Sequence, residues 1–497
     1  MAVNTSLKPF RAGDFGEPQA RHLLNRAAFG GDRRQVLAVA DMGLKRAVEH
    51  LVNYGDIDVS DAPTPRVDAD LIMPPTPQQR KMMRRARGES DPKMKEQARM
   101  MRQERRQSDR QQHQELRRWW LAHMVSTPRP LEEKLTLLWH GHFATNYRTV
   151  RDSFLMFQQN VLLRRQACGS FADLAVGIIH DPAMIRFLDN HNNRKQKPNE
   201  NLARELMELF TLGEGNYTEQ DIKQGARALT GYTFRDNDFH FAKNMHDPGP
   251  KTILGQRGRF DGDDFVRILL RHKACPQFIG YKLYKHFVAD VEYEHVSAAP
   301  SARRAIEQLA RLLVRHEYQI KPVLKALFTS QHFYDASIVG NKIKSPSQLV
   351  VGTMRMLNLP VRDLDTMIDG MRLMGQALFD PPSVAGWDGG RSWISTSTLF
   401  VRQNLCAYMI SGKRPDGRGW RRSDVDYDPM PLLEGAAGTG PEAVVDHLMS
   451  SLLADSVPAQ RRQQLLSFLE QRSGPIRPDT VIALLLLITA MPEYQLC

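Results

Sequence analysis

"KPNENLARELMELFTLGEGNYTEQD", Lys197 to Asp221, is the stretch whose reading decides the fold. Pro198 and Asn199 are helix-start residues, an apolar helical pattern follows to about Leu212, and Gly213 is a stop. Thr218 is placed to cap a second helix with Asp221 at its third position, and Tyr217 to pack on Ile222 as a hydrophobic staple. That second helix, "EQDIKQGARALT", ends at Gly231. A short glycine-containing loop between two helices makes an αα-hairpin. On its first helix Glu205 and Glu208, three residues apart, share a narrow polar stripe with Asn201 and Arg204. Such a stripe is either a solvated face or one wall of a site.

Helical patterns continue on both sides. "QARHLLNRAAFGGDRRQVLAVADMGLKRAVEHLV" reads as two helices punctuated by "FGG", with Leu23, Leu24, Ala27 and Ala28 on one face. "PRPLEEKLTLLWHGHF" has Pro130 in its first turn, Glu132 and Glu133 near the positive end of the helix dipole, and Leu131, Leu135 and Leu138 facing inward. More helices follow through "SARRAIEQLARLLVRH", "IKPVLKALFTS" and "SPSQLVVGTMRMLNL". The long Pro/Gly/Trp loop "FDPPSVAGWDGGRSWIS", Phe379 to Ser395, then interrupts them. The β signal is "KTILGQRGRF", two short strands around a glycine-containing turn. The expected fold is mainly α, a multi-helix domain with a small β-hairpin appendage. Its expected organisation is N-terminal helices over 1–60, a Pro-rich linker and basic helical insertion over 61–115, and a helical core over 116–497.

The chain has 497 residues, 41% of them hydrophobic, enough to bury a large core. Cys168, Cys275, Cys406 and Cys497 are far apart and form no CxxC, which suits a reducing compartment. The first residues lack the uninterrupted apolar run of a signal peptide, so a cytoplasmic location is expected. "VIALLLLITAM", Val481 to Met491, falls well short of the ~20 residues that cross a bilayer and reads as a buried terminal helix. Of the net charge of +12, the segment from Arg80 to Arg118 supplies +8, with fourteen Lys/Arg against six Asp/Glu. Its first half lacks an apolar stripe and is expected to project into solvent. A nucleic-acid role for this arm ranks last, because the aromatic or groove-reading elements it needs are missing.

Familiar catalytic signatures are absent: no phosphate-cradling GxxxxGK[ST], no GxGxxG after a strand, no GxSxG elbow and no HExxH helix. What remains is histidine and carboxylate. His140 and His142 in "WHGHF" would lie about 200° apart on a continuous helix. They converge if the helix ends at His140 and Gly141 takes a left-handed turn. With Glu205 and Glu208 they would form a mixed His/carboxylate set suited to iron, manganese or zinc. Metal-bound water would then give hydrolysis, and iron with open positions would give oxidation. In "NMHDPGPKTILG", His246 and Asp247 are candidate acid–base groups or added ligands beside Lys251, although Asp-Pro-Gly is also plain turn chemistry. Lys251 and Arg227 are candidates for binding an anionic substrate. The loop bearing Trp387, Asp388, Arg391 and Trp393 is a candidate for closing over it. "EYEH", Glu292 to His295, has the Glu-x-x-His spacing of di-iron bundles but stands alone.

Taken together, "HLLNRAAFG", "PLEEKLTLLWHGHFATN", "PNENLARELMELFTLGEGNYTEQDI", "ARALTGY", "HDPGPKTILG" and "GQALFDPPSVAGWDGG" resemble a bacterial family of unknown function, DUF1800. The resemblance implies a predominantly helical protein. It also implies a sulfatase-like partner, encoded nearby and carrying a twin-arginine export signal. Two departures stand out: Tyr232 occupies a position where the family usually has Trp, and the export signal of many members is missing. The alternative to a metal-dependent enzyme is therefore a non-catalytic assembly or carrier protein, exported folded against that secreted partner.

Overall fold

The computed structural model describes residues 7–59, 75–85, 92–415, 420–422, 425–438, 440–455, 457–472 and 474–497. Most of the proline-rich linker after Asp61 lies outside them. The remainder is mainly helical, as the periodicity requires. Strands among the described residues occur as short antiparallel pairs: Tyr232–Arg235 with Asp238–Phe241, Lys251–Ile253 with Gln256–Gly258, and Lys413–Pro415 with Trp420–Arg422. The second pair is the hairpin expected from "KTILGQRGRF". The first escapes a search for Asn-Gly or Asp-Gly because its turn is Asp236-Asn237, where both residues take the positive φ, 54° and 76°, of a mirror-image turn.

Buried apolar side chains form two clusters. One gathers the N-terminal helices Glu17–Ala27 and Arg33–Val52 with the centre of the chain to Ile338. The other joins Leu116, Trp120 and Met124 to the C-terminal helices, including Pro478–Thr489 with Val481, Leu484, Leu485 and Ile488 inside. The helix Pro130–His142 serves both, giving Leu131, Leu135 and Trp139 to the first and Leu137 to the second. Anything that it presents between them therefore sits on a seam.

The basic segment forms Pro77–Arg85 and the long helix Pro92–Ser126. Lys93, Lys95, Arg99 and Arg106 are exposed, in keeping with a solvent-projecting first half. Apart from the buried Ala98, contact begins ahead of the apolar stripe that starts at Leu116, through polar groups. Asp109 accepts from the Ser153 amide and hydroxyl at 2.8 and 2.9 Å and from Tyr147 Oη at 2.7 Å, while His113 stacks on Tyr147. Further on, Trp120 Nε1 donates to the fully buried Glu133 at 2.8 Å, whose carboxylate also takes Arg164 Nη2 at 3.0 Å. Burial would push the Glu133 carboxyl up, but Arg164 and His123 outweigh it and hold it down at about 2. Glu133 is thus a buried tie between helices, beyond the dipole role expected of it.

The Lys197–Asp221 stretch folds as the expected hairpin, with one departure. Asn201–Glu205 is α-helical, but Leu206–Thr211 widens into a π-helix before Gly213 ends it at φ 77°. Thr218 and Asp221 make the predicted reciprocal cap, and Asp221 Oδ1 also accepts the Leu254 amide at 2.7 Å, tying the β-hairpin to the helix. Arg204 closes the two helices together through Glu219, at 2.8 and 2.9 Å. No helix among the described residues is long and apolar enough to cross a membrane.

Candidate functional site

The end of the "WHGHF" helix does not break as the sequence reading required. Pro130–His142 is continuous, and Gly141 is absent from the residues with positive φ. Its lack of a side chain serves the Trp387 loop instead. A Cβ on Gly141 would stand 3.2 Å from the Trp387 indole, and one on Gly386 would stand 2.0 Å from the Gly141 carbonyl oxygen. Two glycines thus let the loop lie directly on the helix.

On an unbroken helix His140 and His142 point apart. His140 is enclosed by Trp120, Phe379 and Trp387, with ring centroids 5.5, 5.4 and 5.6 Å away, and neither ring nitrogen has a protein partner. His142 Nε2 lies 2.9 Å from the Phe210 carbonyl in the π-helix and donates to it, leaving Nδ1 unpartnered. Burial pushes His140 down to about 4, and burial with Lys282 nearby pushes His142 to about 3, so both rings are neutral at ordinary pH. Glu205 is half-buried, its carboxyl raised by burial and then by Glu208, while Glu208 accepts from Tyr217 Oη at 2.6 Å. Among the described residues no three His, Cys, Asp or Glu side chains are grouped so as to hold a metal ion. The four expected ligands therefore do not assemble: the convergence needed a left-handed Gly141, and that glycine is spent on packing.

His246, Asp247, Lys251 and Arg227 do come together, in a turn that satisfies itself. Arg227 Nε pairs with Asp247 Oδ2 at 2.7 Å, Lys251 Nζ donates to the Asp247 and Gly249 carbonyls at 2.6 and 3.1 Å, and His246 Nδ1 is 2.9 Å from the Thr230 carbonyl. Arg227 and Asp247 pair with each other, and none of these four residues lines the Trp387 loop's cavity.

The structure does unite six of the expected residues. His142, Glu208, Trp387, Asp388, Arg391 and Trp393 line a single cleft of about 840 Å³. His140 backs its Trp387 wall, whereas Glu205 does not reach it. The cleft's carboxylates Glu214, Glu292, Glu294 and Asp388 are exposed, while Asp290 is half-buried and engaged by Lys342 Nζ and Glu208 is half-buried and engaged by Tyr217 Oη. Its buried ionisable residues are Arg26, 1% exposed, Lys134, 7% exposed, His142 and Cys497, with Lys282, Lys285, His286 and Lys342 half-buried around them. Arg26 is tied to the Val288 and Ile338 carbonyls, both at 2.7 Å.

Lys134 differs from the others. Its ammonium donates to Gln348 Oε1 and lies 4.9 Å over the Phe29 ring, with no carboxylate within ion-pair distance among the described residues. Burial lowers it to about 7, Lys342 and Arg26 lowering it further against an opposing pull from Cys497. Several atoms of the lining are buried without partners: His286 Nε2, Asp290 Oδ2, His142 Nδ1 and Trp387 Nε1. Buried polar groups are normally satisfied by protein, ordered water, an ion or a ligand, so these atoms face positions where such a partner belongs.

Sequence reasoning missed Lys134 although a signal was present. Positions 131, 134, 135 and 138 recur at helical spacing, so Lys134 stands on the stripe predicted to face inward. Arg26 likewise follows Leu23 at i+3, on the buried face of its helix.

Comparison with curated proteins and with solved structures returns no match. Residues 22–496 match the model of a family described as a protein of unknown function, DUF1800, and by that match, which takes in nearly the whole chain, this protein belongs to the DUF1800 family.

Proposed function

We propose that the protein binds a small anionic molecule in the cleft, its anionic group on Lys134 and the rest of it beneath the Trp387 loop. The observation that carries this reading is a buried lysine with no carboxylate within ion-pair distance among the described residues, at the wall of a cavity of about 840 Å³. An ammonium out of water costs several kcal/mol unless something pairs with it. A ligand carboxylate or phosphate would supply the missing charge, and the half-buried Lys342 and Lys282 would extend the field toward the mouth. Trp387 and Trp393 offer flat apolar surface to the uncharged part, as ligand clefts commonly do.

This reading replaces the metal-dependent hydrolase or oxidoreductase built on His140, His142, Glu205 and Glu208, whose donors do not converge. It takes over the anionic-substrate role first given to Lys251 and Arg227 and moves it to Lys134. Thermal unfolding of the full chain in a panel of phosphates and small di- and tricarboxylates tests it. At least one anion is expected to raise Tm in proportion to its concentration, as a ligand of the native state must. That rise should vanish in Lys134→Met. A panel with no Lys134-dependent rise overturns the reading.

A further inference from the structure

Lys134 lines a cavity large enough for a ligand, its Nζ donates to a neutral side-chain acceptor, Gln348 Oε1, and among the described residues no carboxylate lies within ion-pair distance of it. Of the charged groups around it, Arg26 and Lys342 are positive and disfavour its ammonium, while Cys497 pulls the other way from beyond ion-pair distance. A lysine used only to hold a fold needs no cavity beside it and normally has a carboxylate or several carbonyls around the ammonium; Lys251 in the same chain shows that pattern. Beside Lys134 stands His286, half-buried, its ring held neutral by desolvation and by the Lys134 and Lys342 charges, with Nε2 out of solvent and without a partner among the described residues. An amine poised near neutrality and a neutral imidazole facing one cavity are the two groups that carbonyl addition requires.

We propose that Lys134 is an imine-forming amine and that the cleft takes a small carbonyl compound carrying a carboxylate or phosphate. This rests on the anion-binding reading above and adds a covalent step to it. The lone pair of Lys134 Nζ forms a bond to the carbonyl carbon while the carbonyl π pair moves to oxygen, which takes a proton. The nitrogen gives up a first proton to make a carbinolamine; its second proton then passes to the hydroxyl as the nitrogen lone pair forms the C=N bond and the C–O bond breaks, so water leaves and amine plus carbonyl becomes imine plus water with no net oxidation or reduction. His286 Nε2 is the group placed to carry the proton between nitrogen and oxygen. Burial keeps a substantial share of Lys134 unprotonated near pH 7, whereas an exposed lysine at 10.5 has almost none.

Glyoxylate, which joins an aldehyde to a carboxylate, is the probe, with sodium cyanoborohydride as hydride donor to fix the imine as a stable secondary amine. The full chain is treated and the carboxymethylated lysines are mapped by peptide mass spectrometry, with oxalate as a competitor that has the charge but no carbonyl. Saturable modification concentrated on Lys134 over the exposed Lys93 and Lys95, and suppressed by oxalate, is the expected result. Modification spread over exposed lysines with Lys134 untouched overturns the proposal. Lys134→Arg separates the two readings, since it keeps the cation and removes the nucleophile: oxalate binding should persist while trapping in the cleft disappears. Lys134-dependent oxalate binding without trapping in the wild-type chain sinks the imine and leaves the anion site. Absence of both sinks both. The wild-type mapping decides the matter even if the Arg variant does not fold.

Discussion

The α-carbon of Gly386 lies so close to Gly141 that a Cβ added there would stand 2.0 Å from the Gly141 carbonyl oxygen. This contact lays the loop from Phe379 to Ser395 against the end of the Pro130–His142 helix and makes Trp387 a wall of the cleft. Because Gly386 also has φ 88°, alanine there would meet both a steric clash and a disfavoured backbone. Gly386→Ala is expected to detach the loop, costing on the order of 2 kcal/mol or more in urea unfolding and shifting Trp387 fluorescence toward that of a solvated indole. Unchanged stability and emission would show that the loop is not held by this approach.

Glu133 is the second structural tie. It is fully buried with Trp120 Nε1 at 2.8 Å and Arg164 Nη2 at 3.0 Å. Removing one partner of a buried charge pair leaves the other uncompensated, so Glu133→Ala should destabilise the chain by about 3–5 kcal/mol. Glu132→Ala, one residue away and without that pairing, is the control for a general helix effect. Equal losses in the two variants would argue against the tie.

His140 predicts an acid response. Its folded value of about 4 lies below the ordinary 6.5, so between those pH values the unfolded chain binds a proton that the folded chain refuses. Stability contributed by this group is therefore full above pH 6.5 and is lost as pH falls through the window, on the order of 2 kcal/mol by pH 5. His140→Phe suits the aromatic surroundings and leaves no buried ring nitrogen unpaired. Denaturant unfolding at pH 7 and pH 5 should show a smaller loss in this variant than in the wild type. An identical pH dependence would mean that the ring titrates normally.

Lys134 makes the opposite kind of prediction, a gain. Its folded value of about 7 lies below the ordinary 10.5, so the unfolded chain holds more protons between those limits and stability rises with pH across them. Below pH 7 the full burden of the buried ammonium is present. Lys134→Met, of similar length and apolar, should therefore raise stability at pH 6.5, by about 1–4 kcal/mol, while removing anion binding. A variant less stable than the wild type in the absence of anion would mark Lys134 as a structural residue.

Much of the fold was legible because it follows from local signals. The caps at Thr218 and Asp221, the Gly213 stop and the apolar face of Val481–Ile488 are each written in a few adjacent residues. The π-turn at Leu206–Thr211 was not, since nothing in "LMELFT" distinguishes it from ordinary helix. The site was read from the residues that most often carry chemistry, histidines and paired carboxylates, and that preference led away from Lys134. A glycine between two histidines has two readings, a turn or a close approach, and only the position of Gly386, some 240 residues later in the chain, chooses between them. The loop tryptophans and Glu208, far apart in the sequence, meet only in the cleft that they line.

Calorimetric titration with oxalate, run on the wild-type chain, Lys134→Met and Lys95→Met, tests the central claim most directly. Lys95 is an exposed lysine on the basic helix and reports non-specific attraction to a positively charged protein. The account predicts saturable binding in the wild type and in Lys95→Met, and none in Lys134→Met. No binding in the wild type, or equal binding in the two variants, would contradict it.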